Sequence, residues 1–206
     1  MPATVFRNIM GVQQILLSSI AFGGQINEYA VGAGATETVP LGATKVFILL
    51  QGGGASGTNN VGATSGGGGG SGGGCQSDNI TCVGGQTLLY TVAASVAGVV
   101  SPTIGIAGNS SSVSSGTLTI TTMTANGGGA GALPSAAGAG GAGAGGVTSN
   151  FTGGAGIAGA AGAPGAGGTS TGPLIGGFFY GAGGAGGASA SPSSAGGAGR
   201  VRFTYT

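Results

Sequence analysis

Lys45-Val46-Phe47-Ile48-Leu49-Leu50-Gln51-Gly52-Gly53-Gly54 drives an apolar run of strand length straight into three glycines. Five consecutive large apolar residues are too few for a buried helix and suit a buried strand, and the glycines end it. Just upstream, Thr38-Val39-Pro40-Leu41-Gly42-Ala43-Thr44 is a turn-bearing lead. Downstream, Leu88–Val92, Thr103–Ile106 and Thr117–Thr122 read as further strands, the last alternating Leu118 and Ile120 with threonine as a half-buried sheet requires. The chain closes on Arg200-Val201-Arg202-Phe203-Thr204-Tyr205-Thr206, where apolar residues alternate strictly with Arg or Thr. A lone terminal strand has little stability of its own, so this one is expected to pair with earlier strands, 45–51 first among them. The glycine-rich sequence between them then becomes an insertion in one domain. The fold class that follows is mostly β: a small antiparallel β-sandwich body with a glycine-rich insertion and little helix. The most helix-compatible run is Asn8 to Ala21.

Composition excludes most chemistry. Of 206 residues 54 are glycine, Lys+Arg number 4, Asp+Glu 3, and His and Trp are absent. A formal net charge of +1 gives no electrostatic case for nucleic acid or an anionic membrane. Without histidine there is no Ser-His or Cys-His nucleophile and no imidazole ligand for a metal. The sole lysine, Lys45, precedes its glycines inside a strand, so a phosphate-binding loop fails too. A pair of carboxylates for glycoside chemistry would have to come from Glu28 and Glu37, in segments of different type. No enzyme, metal or cofactor is expected. Leu, Ile, Val and Phe total 42 residues, near the edge of what a core needs, yet a mean hydropathy of +0.43 leaves too little charge to keep the chain solvated and disordered.

The glycines have register. Gly156, Gly159, Gly162, Gly165 and Gly168 recur every third residue, as do Gly181, Gly184 and Gly187, and Gly140, Gly143 and Gly146. A period of three belongs to polyproline II, which has no internal hydrogen bonds and must give its NH and C=O groups to neighbours. Collagen needs an unbroken Gly-X-Y repeat and abundant proline, and here the register breaks after a few triplets with 7 prolines in the whole chain. Two ordered arrangements stay open. One is a bundle of short polyproline-II runs, 127–131, 138–146, 153–168, 181–187 and 195–199, with 66–74 as a sixth. The other is irregular glycine loops lying over a β body. The domain reading is therefore an attachment segment at 1–36, a β body at 37–126 with a Gly-rich loop at 52–74, the glycine region at 127–199, and a closing strand at 200–206.

Within residues 1–24, Arg7 precedes the apolar stretch Ile15 to Phe22, but Gln13-Gln14 and a poor cleavage context at Phe22-Gly23-Gly24 argue against a secretory signal. Docking onto a partner suits the segment better, and no run reaches the length of a membrane-spanning helix. Cys75 and Cys82 flank Asp78 and Asn79, and a small disulfide loop is the use expected of them, with free thiols as the alternative. Recognition falls to the loops between glycine runs, 133–135, 147–152, 169–180 and 188–194, among which Phe151 and the segment holding Leu174, Ile175, Phe178, Phe179 and Tyr180 bring the aromatic and aliphatic groups that receptor contacts require. The same side chains would serve equally to cap the glycine region.

The order Glu37 to Gly54, then poly-Gly, then Thr124-Ala125-Asn126-Gly127-Gly128-Gly129, and finally Gly196 to Tyr205 resembles the glycine-rich domains of bacteriophage tail-fibre and other virion proteins. More distantly the chain is similar to the tip adhesins of T-even-type long tail fibres, whose polyproline-II bundle displays receptor-binding loops. The resemblance implies a virion structural protein on the surface of tail or capsid. It would be held to other virion proteins through residues 1–36, form homo-oligomers such as trimers, and meet a host surface receptor. A secreted ice-binding or surface-coating protein is the alternative, because glycine-rich bundles also build flat antifreeze faces.

Overall fold

The computed structural model describes residues 6–9, 12–15, 23–60, 65–100, 102–160, 163–169, 181–188 and 191–206. Twelve strands run in order: β1 (Phe6–Ile9), β2 (Val12–Ile15), β3 (Gln25–Tyr29), β4 (Ala35–Thr38), β5 (Lys45–Gln51), β6 (Gly74–Thr81), β7 (Thr87–Thr91), β8 (Ser111–Ser115), β9 (Met123–Ala125), β10 (Gly143–Ala144), β11 (Ser149–Phe151) and β12 (Arg200–Tyr205). No helix occurs among the described residues. Two antiparallel five-stranded sheets, ordered β11-β6-β5-β12-β3 and β10-β9-β8-β7-β4, pack face to face, and β1 with β2 forms a separate hairpin.

β5 and β12 build the centre of the first sheet. β12 pairs with β5 from Arg200↔Gln51 to Tyr205↔Val46 and with β3 from Val201↔Tyr29 to Tyr205↔Gln25. The alternation in Arg200–Tyr205 turns Val201, Phe203 and Tyr205 inward beside Val46, Ile48 and Leu50, all fully buried. Each such side chain contributes about 1.5–3 kcal/mol by leaving water. Leu88, Tyr90, Val113, Met123 and Ala125 close the core from the second sheet. Tyr90 stacks on Tyr29 at 4.5 Å between ring centroids and meets Phe203 edge-on at 5.9 Å, tying the sheets along one side.

Several expectations need correction. Of the helix-compatible run 8–21, which suited a helix or a strand, residues 12–15 are strand, paired with β1. The boundary at residue 36 does not divide the fold, since β3 pairs with β12 and β4 with β7. Thr117–Thr122 is a connection, with Ser115 Oγ bonded to both the amide and the carbonyl of Ile120. The ladder falls instead on β8 and β9, where Val113 opposes Met123. Thr103–Ile106 lies outside the sheets, joined to residues 56–59.

The glycine segments form a bundle growing from one end of the sandwich. Run 65–73 is its axis. The amides of Gly66, Gly69 and Gly72 donate to the carbonyls of Gly187, Gly184 and Gly181. Those of Gly68 and Ser71 donate to Ile157 and Gly154, and those of Gly70 and Gly73 to Gly129 and Asn126. Its carbonyls at 67, 70 and 73 face run 52–58, accepting at 70 and 73 from Ala55 and Gly52 and at 67 from Thr58. Those at 68 and 71 accept from Gly138 and Gly141, and those at 66 and 69 from Gly165 and Gly168. Every third residue thus addresses the same neighbour, and six neighbours surround the run, the threefold repeat of polyproline II.

The six neighbours also bond to one another in a closed ring, through Gly128 to Gly53, Gly129 to Ala139, Gly156 to Gly138, Ile157 to Ala166, Gly183 to Gly168 and Gly184 to Ala55. Runs 103–109, 93–99 and 194–199 complete a similar ring around 52–59. The result is three layers: 138–142, 126–131 and 103–109; then 153–159, 65–73, 52–59 and 93–99; then 163–169, 181–187 and 194–199. Within the Gly-rich stretch 52–74, read both as a loop and, over 66–74, as a run of the bundle, residues 52–59 and 65–74 are buried throughout and form the heart of the bundle.

Glycine is needed there because backbones touch. A Cβ at Gly54, Gly68 or Gly70 would fall on the carbonyls of Ala182, Ala166 or Ala139, well inside the 3.0 Å that real Cβ atoms keep. The few buried hydroxyls carry lateral bonds themselves. Thr58 Oγ1 accepts from the amide of Gly67 at 3.0 Å, Ser56 Oγ from Ile106 at 2.8 Å, and Ser71 Oγ donates to the carbonyl of Thr169 at 2.8 Å.

Candidate functional site

Because strands continue directly into runs, the bundle has a sandwich end and a far end. β5, β7, β9 and β11 lead outward into 52–59, 93–99, 126–131 and 153–159, while 65–73, 103–109, 138–142 and 194–199 lead back into β6, β8, β10 and β12. The chain reverses at the far end between 59 and 65, 99 and 103, 132 and 136, 160 and 163, and 188 and 193. Three of these five reversals contain one proline each, Pro102, Pro134 and Pro192, and Pro164 directly follows a fourth, all exposed, out of seven in the chain.

These reversals are pinned to each other. Ala132 and Ala136 exchange backbone bonds of 3.0 and 2.8 Å, and Ala160 and Ala163 bonds of 2.9 and 3.1 Å. The amide of Gly159 donates to Ser135, that of Ser65 to Ala160, and that of Ser193 to Val99, whose own amide donates to Ser193 Oγ. Asn59 exchanges bonds with Thr103 and donates its Nδ2 to the carbonyl of Ser191 at 2.6 Å. Exposed among them are Val100, Ile104 and Leu133. The five connections hold no charged and no aromatic residue. Proline locks φ and the flanking bonds fix the ends, so the described residues of this surface are preorganised, and by sequence the connections are uncharged and weakly apolar. Two of these reversals, at 133–135 and 188–194, are among the loops the sequence marks for recognition, whereas the individual residues it singles out, Phe151 and Leu174 to Tyr180, are not in them.

Phe151, expected to contact a receptor, lies at the sandwich end. It pairs with Gly74 in β6, and its ring covers that glycine so closely that a Cβ there would meet the ring. It is half-buried packing. Leu174, Ile175, Phe178, Phe179 and Tyr180 lie outside the described residues. The positions that bracket them, Thr169 and Gly181, accept bonds from Gly154 and Gly72, at the level where the bundle joins β11 and β6. Phe151 is thus near the bracketing residues of that segment and far from the reversals.

Among the described residues the titratable groups do not converge on a reactive centre. Glu28 lies on the outer face of its sheet, 3.2 Å from Arg200, whereas Glu37 is buried inside. Its carboxylate accepts from Tyr29 Oη at 2.5 Å, Tyr205 Oη at 2.7 Å and Asn27 Nδ2 at 2.7 Å, which ties β3, β4 and β12 across the two sheets. Burial first, then the bond to Glu37, raises both tyrosines above the usual phenol range. The expected disulfide does not form: Cys75 and Cys82 are both free and buried. Cys75 lies near the start of the extended β6 and Cys82 directly after its end, roughly 20 Å apart at ~3.3 Å per residue, against the ~5.5 Å that a bridge requires. Burial pushes the Cys75 thiol up to about 11, so it is unreactive at neutral pH. Among the described residues no three His, Cys, Asp or Glu side chains gather as metal ligands.

Comparison with known proteins finds no family whose model matches this chain and no curated protein similar to it in sequence.

Proposed function

We propose that this chain is a non-enzymatic bacteriophage virion protein, a fibre or spike tip or a capsid-surface component, and that the far end of its bundle meets the host surface. The observation that carries this reading is the far end itself. Ten runs without a side-chain core hold five short connections at one end, of which three contain an exposed proline and a fourth is followed by one. Building so much rigid backbone to support so little side chain makes sense if the supported turns bind something. The likeness to tail-fibre tip adhesins points the same way, but it moves the binding residues from Phe151 to the far reversals. The experiment is adsorption of the phage carrying Leu133→Asp, Val100→Asp or both, set against Ile26→Asp on the sandwich as control. Loss of adsorption with the far-end changes alone supports the proposal. Full adsorption by the far-end double variant rejects it.

A second reading, an ice-binding or coating protein, has one observation of its own. The layer 163–169, 181–187 and 194–199 turns Ala166, Ala182 and Ala195 to solvent, an array of exposed alanines on adjacent rods. Thermal hysteresis of the purified chain would favour it over the virion role.

A further inference from the structure

We propose that the sandwich carries a binding site for a neutral sugar on the outer face of its first sheet, at the end away from the bundle. β5 enters the sheet there at Lys45 and β12 leaves it at Tyr205, while both join the bundle at their opposite ends. In that corner an open groove of about 290 Å³ is lined, among others, by Lys45, Phe47, Asp78, Asn79 and Thr204. It sits at the small end of the ~300–1,000 Å³ range of small-molecule sites, with room for a single ring. A β-bulge builds it. Val46 pairs with Ile80 and Ile48 with Ser77, so Phe47 alone opposes both Asp78 and Asn79. The extra residue keeps Cys75 and Ser77 buried on one side of it and Ile80 packed against the core on the other. Asp78 and Asn79 are thereby delivered to the outer face beside Phe47, which pairs on its other side with Thr204 of β12. Asn79 holds φ at 54°, the one positive value among the described non-glycine residues, in a region that Asn enters more readily than most. Bulges of this kind commonly re-aim side chains beside functional sites.

The chemistry of the lining selects the ligand. Lys45 Nζ only donates hydrogen bonds, the Asp78 carboxylate only accepts them, and the Asn79 amide and Thr204 hydroxyl do both. Gln76 Nε2 stands 3.1 Å from Asp78 Oδ1 and 3.4 Å from Oδ2, which orients the carboxylate. One such neighbour does not fill the roughly four acceptor positions of a carboxylate. Lys45 Nζ donates to Asn79 Oδ1 at 3.4 Å, a long bond between exposed side chains that a ligand hydroxyl displaces at little cost. Phe47, half-buried on the same face, adds an apolar surface beside them. Lys45 and Asp78 give the groove one charge of each sign, so an anion meets the carboxylate and a cation meets the ammonium. A neutral pyranose suits all five groups, because its hydroxyls both donate and accept and the C–H face of its ring can lie against an aromatic side chain. An apolar surface with a few convergent polar groups is the usual make-up of a small-ligand site. The groove lies at the opposite end of the molecule from the reversals, and the inference does not rest on the host-binding role proposed for them.

The test titrates the whole isotope-labelled chain with glucose, galactose, mannose and N-acetylglucosamine, each as the free sugar and as the methyl glycoside, and follows backbone amide shifts by NMR. At least one of them is expected to bind saturably in the millimolar range and to shift the amides of 45–47, 78–79 and 204–206. Binding of free sugar and glycoside alike assigns the site to the end of a glycan, and binding of the free sugar alone to a soluble sugar. Asp78→Asn and Asn79→Gly, the latter keeping the positive φ, should each weaken that binding about tenfold, as loss of one well-placed hydrogen bond requires. Phe47→Leu, which keeps an apolar side chain but removes the ring, should weaken it as well. Glycine betaine and inorganic phosphate probe the competing zwitterionic and anionic chemistries. No saturable shift with any sugar overturns the proposal. So do shifts confined to the far-end reversals, sugar binding that survives both Asp78→Asn and Asn79→Gly unweakened, or a groove that responds to betaine or phosphate and to no sugar.

Discussion

Replacing Gly70 by alanine tests the bundle at its axis. The amide of Gly70 donates to Gly129 at 2.9 Å and its carbonyl accepts from Ala55 at 2.9 Å. A Cβ on Gly70 falls on the carbonyl of Ala139, which is backbone and cannot rotate away. Run 138–142 must therefore move outward by more than ~1 Å, which stretches hydrogen bonds beyond their useful range. The bonds lost are those from Gly138 to Gly68 and from Gly141 to Ser71, and the carbonyls they leave sit in a fully buried run. At roughly 1–3 kcal/mol for each buried group left unpaired, the cost is about 4 kcal/mol. Alanine also narrows the unfolded ensemble, an opposing gain of only about 0.4–1 kcal/mol. The net loss of about 3 kcal/mol corresponds to a fall in melting temperature of roughly 6–12 °C for a chain of this size. Gly197 is the control within the bundle, since a Cβ there finds its nearest backbone atoms at 3.2 and 3.3 Å, and Gly197→Ala should change the melting temperature little. Gly23→Ala, with nothing within 4 Å, should be neutral or slightly stabilising. A Gly70→Ala protein that melts with the parent would refute the close-packed lattice.

Glu37→Ala strands Tyr29, Tyr205 and Asn27 as buried donors and should lower urea-derived stability by about 3–5 kcal/mol, with Glu37→Gln losing clearly less because an acceptor remains. Alkaline pH should destabilise the fold. Tyr29, Tyr205 and Cys75 titrate higher when folded than their ordinary values of 10.0, 10.0 and 9.0, so their contribution is intact below pH ~9 and declines as the unfolded thiols and phenols ionise above it. Melting temperatures measured from neutrality to pH ~11 should bend downward in that window, and Cys75→Ala should flatten the onset; a flat curve contradicts the burial of these groups. Ser71→Ala removes the hydroxyl bonds to Thr169 and Gly154 without intruding on any backbone, and should cost about 1–2 kcal/mol in thermal or urea unfolding.

Legibility in the sequence followed the number of side chains available to show it. β5 and β12 were readable because an apolar run and a strict alternation survive in 45–51 and 200–206, and their pairing followed. β8 was missed because two of its inward residues are Ser111 and Ser115 and only Val113 is apolar. Ser111 is kept inside by bonds to the Gln51 carbonyl and the Ala93 amide, which hydropathy does not register. The same logic runs through the bundle. Outer runs touch the axis at every third residue, so only Gly181, Gly184 and Gly187, or Gly165 and Gly168, must lack a side chain, and the period is visible. Gly140, Gly143 and Gly146 kept that period without sharing the role: Gly138 and Gly141 bond to the axis, while Gly140 faces Gly153. The axial run is touched from six sides, so nearly every residue must be glycine and the period disappears into poly-Gly. That is why the sequence left the structural centre open between a loop and a sixth run. Of the far-end turns, 133–135 and 188–194 were legible as loops between glycine runs, but nothing in the sequence shows that they gather at one end, and the aromatic residues singled out lie elsewhere.

Amide hydrogen exchange along 66–73 tests the lattice most directly, because a glycine loop and a glycine axis differ there more than in any other property. Each of these eight amides donates inside the bundle, seven to carbonyls of other runs and Gly67 to Thr58 Oγ1. They should exchange only through global unfolding, as slowly as the amides of β5 and β12. Exchange of Gly68 to Gly72 at the rate of an open glycine loop, while β5 and β12 stay protected, would contradict the bundle and the function proposed for its far end.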